Sequence, residues 1–386
     1  MPWRETEVVD ERVGFIAAVQ QEPLGNFTRL CERFGISRET GYKWVARYRA
    51  QGPEGLRDRK PVPCSCPHRT AEGMESRVVE LRKQWPHCGP KKLRAMLLEM
   101  TPKLAVPAAS TIGDILDRNG LIRPRRVRLR VPPSSSPLAH AQQPNDVWCV
   151  DFKGHFALGD GSRCYPLTIT DAASRYLIKC ESVGQPDEAH CRPHFERAFR
   201  EFGVPGRIRS DNGPPFATKT LGGLSRLSVW WVQLGIEPER IEPGKPQQNG
   251  RHERFHLTLK QQTASPPKGD ATDQQRDFDR FRHEYNDLRP HEALSQTPPA
   301  RHYEPALRPL PEPRAPEYDP DMAVRWVGPE GKITFKGTRM YASLALADQP
   351  VGLRQTDADE WELFYGPLML GYVLVRNGTA RIEPLR

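Results

Sequence analysis

Residues 246–260 read PQQNGRHERFHLTLK, and the arrangement of the whole chain is best understood from this stretch. Pro243 and Pro246 interrupt whatever precedes it, and no further proline occurs before Pro266. The run between them is rich in residues that favour helices. It therefore predicts a helix that begins near Gln247.

Helical spacing divides the side chains of this stretch between two faces. Phe255, Thr258 and Leu259 form a packing face, whereas Glu253 and Lys260, seven residues apart, share another. A carboxylate and a cation on one exposed face would suit a metal ion and a phosphate together. Taken alone, the pair also fits an ordinary helix surface, so its interpretation depends on the rest of the chain.

The chain is long and basic, with 386 residues and a net charge of +9. This length allows two to four domains, one of them with a full hydrophobic core. Residues 1–138 contain the whole excess of Lys and Arg over Asp and Glu. Such an asymmetry favours a polyanionic partner held mainly by the N-terminal third, although a merely soluble basic surface is the alternative.

The eight cysteines all precede His194, and none is spaced as CxxC. We expect reduced thiols, most of them buried. A zinc site from Cys64, Cys66, His68, His87 and Cys88 is an alternative that the spacing supports poorly. The sequence MPWRETEVVD lacks the apolar run of a signal peptide, and no stretch is long and apolar enough to cross a membrane. We therefore expect a cytoplasmic protein, associated with the nucleoid.

The first third begins with a helix–turn–helix pattern. Apolar spacing predicts a helix from Val8 to Gln20, a second through Leu30 and Phe34, a turn at Gly35, and a third helix capped by Ser37. Asn26 or Thr28 could cap the second helix. The predicted DNA contacts of the third helix are Arg38, Lys43, Arg47 and Arg49. A three-helix protein-binding domain would show a similar core and is the alternative.

A second helical unit follows a proline-bearing linker. Its three helices have apolar residues at helical spacing, and we expect the third to be capped by Ser110 and to end at Gly120. The pattern resembles a second helix-turn-helix, with or without a wing, and Lys91 and Lys92 are its candidate DNA contacts. The tail beyond it predicts a strap for phosphates or the minor groove, through Arg123, Arg125, Arg126 and Arg128.

The central region has the pattern of an α/β domain. Residues 147–152 are apolar on both faces except at Asp151, as in a strand covered on both sides. Two more strands follow in a meander, and strands then alternate with helices, one strand ending at Ser210 just before Asp211. Asp211 therefore lies at the carboxyl end of a strand, where open α/β sheets place their sites. Beyond residue 324, short strands with glycine turns predict a small β-barrel.

A buried carboxylate such as Asp151 is costly to ionise without a partner. A divalent cation would compensate it better than Lys153, which lies two residues on along the same face. Three acids without a cluster of His or Cys favour Mg²⁺ or Mn²⁺. Two such ions acting together would suit phosphodiester chemistry.

Three motifs together carry a family resemblance: WCVDFKG around Asp151, SDNGPPF around Asp211, and PQQNGRHERFH around Glu253. They resemble the Asp, Asp, Glu signature of the bacterial insertion-sequence transposases encoded as one open reading frame, which have a retroviral-integrase-like core. Residues 212–252 form a longer spacer than is usual in that family, so Glu253 is assigned by its motif and not by count. An insertion around residues 221–231 would account for the difference.

The resemblance covers nearly the whole chain and implies a multidomain fold with a ribonuclease-H-like core, in which a mixed five-stranded sheet packs with helices. The expected divisions are a first helix-turn-helix domain at 1–62, a second with its Arg-rich tail at 70–130, a linker at 131–144, the catalytic core with its following helix at 145–305, a Pro-rich linker at 306–321 and the small β-barrel at 322–386.

The resemblance also implies a reaction. Water would attack a phosphodiester at the end of the element, and the freed 3′ hydroxyl would then attack target DNA. Asp151, Asp211 and Glu253 would hold two Mg²⁺ or Mn²⁺ ions, and a homodimer or larger homo-oligomer would bind paired ends of double-stranded DNA. Candidate contacts near the acids are Lys153, Asn212, Arg251, His252 and Lys260.

Asp171 resembles a fourth metal ligand, but we expect it to cap a turn. Two other functions remain open from the sequence. One is a DNA-binding regulator that uses the same helices without chemistry, and the other is a nuclease of the same fold that cuts but does not join.

Overall fold

The computed structural model describes residues 8–21, 26–58, 70–122, 138, 140–241, 250–376 and 378–385. The chain divides into two compact units, residues 1–69 and 70–386. Within the described ranges, no helix is long and apolar enough to cross a membrane. The predicted start of a helix near Gln247 and the Arg-rich tail lie outside the described residues.

The first unit consists of three helices, α1 (Val8–Gln21), α2 (Phe27–Arg33) and α3 (Arg38–Gln51), and a 3-10 turn at Gly52–Leu56. Its core contains Phe15, Leu30 and Trp44. The predicted turn and cap are confirmed, because Gly35 has a φ of 63° and the Ser37 side chain accepts a hydrogen bond from Thr40 N. Asn26 precedes α2 but makes no capping hydrogen bond with its side chain.

The second unit begins with another three helices, α4 (Glu72–Gln84), α5 (Pro90–Met100) and α6 (Ala109–Arg118). They enclose a core of their own around Val78, Leu93 and Ile112, all of them fully buried. Ser110 was expected to cap α6, and this is wrong. The helix begins at Ala109, so Ser110 lies inside its first turn, and Ala108 at the cap position makes no side-chain hydrogen bond.

The central sheet is mixed, as predicted. Its strands are β1 (Val147–Phe152), β2 (Phe156–Ala157), β3 (Arg163–Asp171), β4 (Leu177–Val183), β5 (Arg207–Ser210) and β6 (Glu237–Arg240). β1 pairs antiparallel with β3 and parallel with β5, while β4 pairs with β3 and β6 with β5. Five strands form the body of the sheet, and the two-residue β2 adds a short hairpin to β3.

Helices cover both faces of this sheet. Trp148 and Val150 of β1 pack on one face in a cluster with α7 (Glu188–Phe202) and α8 (Arg226–Gln233), which contributes the buried Trp231. The alternate residues of β1 point to the opposite face, which lies under α9 (Gly250–Thr263) and α10 (Ala271–His283). Phe255 and Leu259 of α9 are buried there, which confirms two of the three predicted packing residues; Thr258 is only partly buried.

The C-terminal region contains β7 (Ala323–Trp326), β8 (Lys332–Phe335), β9 (Thr338–Tyr341), β10 (Pro350–Asp357), β11 (Glu360–Tyr365), β12 (Leu368–Arg376) and β13 (Thr379–Pro384). Five strands form a sheet in the order β13-β12-β11-β10-β7, and β8 and β9 form a separate hairpin. β13 comes against β9, where Ala380 N donates to Thr338 Oγ1 at 3.1 Å. The sheet therefore curves, but the expected closure into a barrel is not established.

This C-terminal sheet is packed against the central region. Val229 and Val232 of α8 belong to the same hydrophobic cluster as Leu363 and Tyr365 of β11. The Pro-rich segment between the two regions also lies against the core, since Val204 N donates to Arg308 O at 2.8 Å and Ala306 N to Phe202 O at 2.8 Å. The segment therefore follows the surface of the core, as expected from its proline content.

Gly203 ends α7 in a conformation that other residues adopt with strain, with a φ of 75°. A Cβ at this position would also collide with the carbonyl group of Ala306. We expect Gly203→Ala to lower the free energy of unfolding by about 1–3 kcal/mol, measured by urea denaturation of the full chain.

Gly184→Ala is the matched control, because a Cβ there would meet nothing within 4 Å. It should leave the denaturation midpoint close to that of the parent. Equal midpoints for both variants would contradict the packing of the Pro-rich segment against α7.

Candidate active site

Asp151 lies near the end of β1, on the sheet face covered by α9. It is paired across the sheet with Thr168 of β3, whose Oγ1 donates to the Asp151 carbonyl oxygen at 3.0 Å. The Asp151 carboxylate is 18% exposed. The carboxylate is therefore partly buried but still reachable by a ligand.

Asp211 follows β5, the parallel neighbour of β1. The two strands pair Val147 with Arg207 and Cys149 with Arg209. If this register continued for two residues beyond the observed pairs, Asp151 would lie beside Asp211 with both side chains on the same face. Neighbouring strands are about 4.8 Å apart, so we expect the two carboxylates at adjacent positions.

The surroundings of Asp211 compensate its charge only weakly. Its Oδ1 accepts one hydrogen bond, from Gly213 N at 3.2 Å. Burial raises the pKa of Asp211 above its ordinary value, and that single backbone hydrogen bond lowers it by less. The ionised carboxylate would therefore be stabilised by a cation bound beside it.

Glu253 lies on α9, which two buried histidines hold against the sheet. The Nε2 atoms of His252 and His256 lie 3.2 Å and 2.9 Å from Thr168 Oγ1. His256 Nδ1 is 3.9 Å from Asp151 Oδ2, so this side of α9 faces Asp151. Helical spacing places Glu253 and Lys260 on the same flank as His256, and both are exposed.

The Thr168 hydroxyl has one proton and two lone pairs. Because it donates its proton to the Asp151 carbonyl, both histidines must donate to it from Nε2. Burial lowers the pKa of His252 to about 4, and burial with the charges of His252 and Lys153 lowers that of His256 to about 2, so both rings are neutral. One hydroxyl thus joins β1, β3 and α9.

Thr168 and His256 were not identified from the sequence. The signal for His256 was present, because His252 and His256 are four residues apart and so share one helix face. His252 was predicted to contact DNA. It is 4% exposed and bonded to Thr168, so its position supports a packing role instead.

Among the described residues, no group of three His, Cys, Asp or Glu side chains is close enough to hold a metal ion. The register of β1 with β5, extended by two residues, would bring Asp151 and Asp211 together, and Glu253 lies on the same flank of α9 as His256. The available donors still suit a hard cation, since the acids offer oxygen and the Nε2 atoms of the neighbouring histidines are occupied by Thr168. The three acids remain a predicted site.

The other predicted contacts near the acids differ in position. Lys153 is partly buried close to His256, whose pKa its charge lowers. Asn212 is exposed, and its Nδ2 donates to Ile241 O at 3.0 Å. The side chain of Arg251 lies outside the described residues, as do Arg123, Arg125, Arg126 and Arg128.

The predicted contacts on the helical units are mainly at the surface. Arg38, Lys43 and Arg49 of α3 are exposed, and Arg47 lies over the Trp44 ring at 5.0 Å. Lys91 of α5 is exposed but forms an ion pair with Glu292, with 2.8 Å between Nζ and Oε1.

Two minor expectations from the sequence concern other polar residues. Asp171 caps a turn as predicted, since its Oδ1 accepts from Ser174 N at 2.7 Å and its Oδ2 from Asn145 N at 2.7 Å. Of the residues considered for zinc, Cys88 is fully buried, whereas Cys64, Cys66 and His68 lie outside the described residues.

Comparison with known families identifies the domains. The family described as "Integrase core domain" matches residues 141–246, and a second of the same description matches 234–299. A "Helix-turn-helix domain" matches residues 11–62, and a "Homeodomain-like domain" matches 40–116. The chain carries an integrase core behind helix-turn-helix domains.

The relatives agree with this organisation. An uncharacterised protein of insertion element IS476 of Xanthomonas euvesicatoria is 27% identical over 62% of this chain and 66% of its own length. One of insertion element IS407 of Burkholderia multivorans is 28% identical over 74% of this chain and 93% of its own. The resemblance to insertion-sequence transposases with an integrase-like core, stated from the motifs, is confirmed.

A solved structure is also similar, more loosely. A chain of the simian T-cell lymphotropic virus intasome, solved in complex with a regulatory subunit of PP2A, is 17% identical and covers 76% of this chain and 97% of its own, with a TM-score of 0.37.

Removal of the Thr168 hydroxyl should loosen the integrase core. Thr168→Val leaves the Nε2 donors of two buried histidines and the Asp151 carbonyl without their shared partner. We expect the free energy of unfolding to fall by about 1–3 kcal/mol, whereas Thr168→Ser should retain most of it. Urea denaturation followed by tryptophan fluorescence measures both.

Thr170→Val is the control on the same strand and face, because the Thr170 hydroxyl makes only a long contact of 3.5 Å to Cys149 O. It should be nearly neutral. If Thr168→Val were as stable as Thr170→Val, the three-element junction would not exist as described.

Proposed function

We propose that this chain is a metal-dependent DNA transposase of the Asp, Asp, Glu type, a polynucleotidyl transferase. It binds the terminal inverted repeats of an insertion sequence, hydrolyses the phosphodiester at the element ends, and joins the freed 3′ hydroxyls to target DNA. The observation that supports this proposal is the parallel pairing of β1 with β5 in an integrase core, which would set Asp151 beside Asp211 if its register continued for two more residues.

In this proposal Asp151, Asp211 and Glu253 hold two Mg²⁺ or Mn²⁺ ions. Bound there, the ions would activate the attacking oxygen and neutralise the departing one. The chain itself supplies the carboxylates, and the Thr168 junction fixes the helix that carries Glu253. Lys153 and Lys260, on either side of the acids, would bind phosphate oxygens of the DNA.

Neither histidine near the acids is suited to general acid or base catalysis. His252 and His256 are neutral and use Nε2 to bond Thr168. The proton of the attacking water or hydroxyl therefore leaves to solvent or to a phosphate oxygen. No covalent intermediate with the protein is required.

DNA binding is assigned to the helical units. Arg38, Lys43, Arg47 and Arg49 lie on α3, the second helix of the first helix-turn-helix, and would face the major groove. Lys91 and Lys92 would serve the second unit, and the arginines between 123 and 128 would neutralise phosphates along the duplex. Two ends must be handled together, so the active form would be a homodimer or a larger homo-oligomer.

A second function is favoured by one observation. Because no three acids in the described ranges lie within metal-binding reach, a DNA-binding regulator without catalysis would have the same helical units and the same fold. The two functions differ in whether the acids are needed for any chemical product.

The substitution Asp151→Asn tests the catalytic proposal. It should abolish both end cleavage and joining of a duplex that carries the ends flanking this gene, by at least about 1,000-fold, because a carboxylate ligand is replaced by a neutral amide. Product is measured on sequencing gels in the presence of Mg²⁺.

Asp160→Asn is the control, since Asp160 is an exposed turn residue bonded to Ser162. It should cleave and join like the parent. Joining by Asp151→Asn at the parental rate would refute the assigned site, and a parent protein that binds the ends but never cuts them would favour the regulator.

Metal binding can be measured without catalysis. Mn²⁺ should raise the melting temperature of the parent protein and of Asp160→Asn, and should raise that of Asp211→Asn much less. In EDTA, Asp211→Asn should melt no lower than the parent, because burial raises the Asp211 pKa and thus disfavours its ionised form in the fold. An equal Mn²⁺ response in Asp211→Asn and the parent would exclude Asp211 as a ligand.

A further inference from the structure

A second polar cluster lies away from the acids, where the first turn of α5 meets the segment after α10. We call it the α5 seam, and define it as residues 89–92 together with residues 289–297. An ion pair between Lys91 Nζ and Glu292 Oε1, 2.8 Å apart, joins its two sides. The seam thus connects the second helical unit with the integrase core.

The start of α5 has an unusual charge distribution. Its first turn contains Lys91 and Lys92 but no acidic residue, and Gly89 at the cap position has no side chain that could cap the helix. The N-terminal end of a helix carries partial positive charge, so cations there are unfavourable and anions are stabilised. Glu292 compensates Lys91 from outside the helix. Among the described residues, Lys92 forms no such ion pair.

Arg289 adds a second cation inside the seam. Arg289 is 8% exposed, and its Nη1 has no hydrogen-bond partner within the described part of the chain. Two further atoms of the same segment, His291 Nε2 and Gln296 Oε1, are also buried without a partner, although both are acceptors and do not themselves attract an anion. A buried guanidinium without an acceptor is strongly destabilising unless a ligand supplies one.

The charges in the seam are close enough to repel one another. Burial, and then the charge of Arg289, lower the pKa of Lys92 to about 8. Partial burial lowers the pKa of His291 most, and the charges of Lys92, Arg289 and Arg175 lower it further, to about 3. Glu292 is the acid that acts on Lys92, and it is already paired with Lys91.

We propose that the α5 seam binds a phosphate of the DNA backbone, with Lys92 Nζ and the Arg289 guanidinium as its cations. This inference rests on the proposed function, because it takes DNA as the ligand. A water molecule could satisfy the hydrogen bonds of Arg289, but it would not compensate two adjacent cations. A phosphodiester supplies both an acceptor and a negative charge.

The position of the seam gives this phosphate a particular role. Lys92 belongs to the second helical unit, whereas Arg289 follows α10 of the integrase core. A phosphate held by both would fix the DNA across the two parts of this unit at once. DNA bound by the helical unit would then enter the core in a defined register.

The substitution Lys92→Met distinguishes a ligand contact from a structural role. The two roles predict changes of opposite sign in the melting temperature without DNA. It removes a cation that is repelled by Arg289 and by the helix end, so the melting temperature without DNA should rise or stay unchanged. Affinity for a duplex of about 30 base pairs should fall several-fold at 0.1 M NaCl. The slope of log K against log salt should decrease by about 0.9, the loss of one phosphate contact.

Lys103→Met is the control, since it removes one positive charge from the exposed turn after α5. It should change the slope of log K against log salt less than Lys92→Met does. A Lys92→Met protein that melts lower than the parent, or that binds the duplex with an unchanged salt slope, would overturn the phosphate assignment.

Inorganic phosphate provides a test without DNA. At constant ionic strength, phosphate in place of chloride should raise the melting temperature of the parent and of Lys103→Met, and should not raise that of Lys92→Met or Arg289→Gln. An equal response in all four proteins would exclude the site. Cleavage that depends on Asp151 would be unaffected by that outcome, so the failure of this inference and of the proposed function are distinguishable.

Discussion

The parallel pairing of β1 with β5 is the constraint on which the candidate site depends. In a parallel pair, residues that follow a paired position by the same number on each strand also lie side by side. In an antiparallel pair, such residues lie further apart with each step. Pairing of Val147 with Arg207, continued along both strands, would therefore also set Asp151 beside Asp211, sixty residues away in the chain. A parallel pair needs a crossover, and α7 supplies it on the face opposite to the acids.

The two faces of the sheet differ in their contacts, as the side chains of β1 show. Trp148 and Val150 are buried against α7 and α8, which stabilises the strand through apolar packing. Cys149 and Asp151 point to the other face, where α9 is held by a hydroxyl and two imidazoles as well as by Phe255 and Leu259. Directional bonds fix the rotation of α9 more narrowly than apolar contact does. That rotation decides which flank of the helix faces Asp151.

The local patterns of the sequence were sufficient to predict the strands around the acids. Val147–Phe152 and Arg207–Ser210 have the predicted ends. Val147–Phe152 was recognisable because a strand covered on both faces is largely apolar. β13 was not predicted, since Thr379–Pro384 has few apolar residues and is specified mainly by its pairing with β12. Closure of a barrel depends on how two edges meet, which no local pattern encodes.

The sequence predicted only those residues of the candidate site that lie within recognisable motifs. The role of His252 depends on Thr168, which lies 84 residues earlier, and a histidine on a helix has the same sequence signature whether it faces strand or solvent. The unpartnered Arg289 likewise became visible only when the segment after α10 was found against α5. Contacts between distant segments are set by packing of the whole unit, so single-residue roles follow from the fold and not from spacing.

In the described part of the second unit, two side chains of opposite charge, Asp211 and Arg289, are poorly compensated by their surroundings. Burial disfavours the ionised form of Asp211 at the end of β5, and the buried Arg289 lacks an acceptor near the start of α5. In the free protein each of these groups lowers stability, and a neutral side chain of similar size would cost less. A cation would compensate Asp211, and an anion would compensate Arg289. In the proposed function, a duplex with its metal ions would supply both, and DNA binding would then recover the stability lost at these two places.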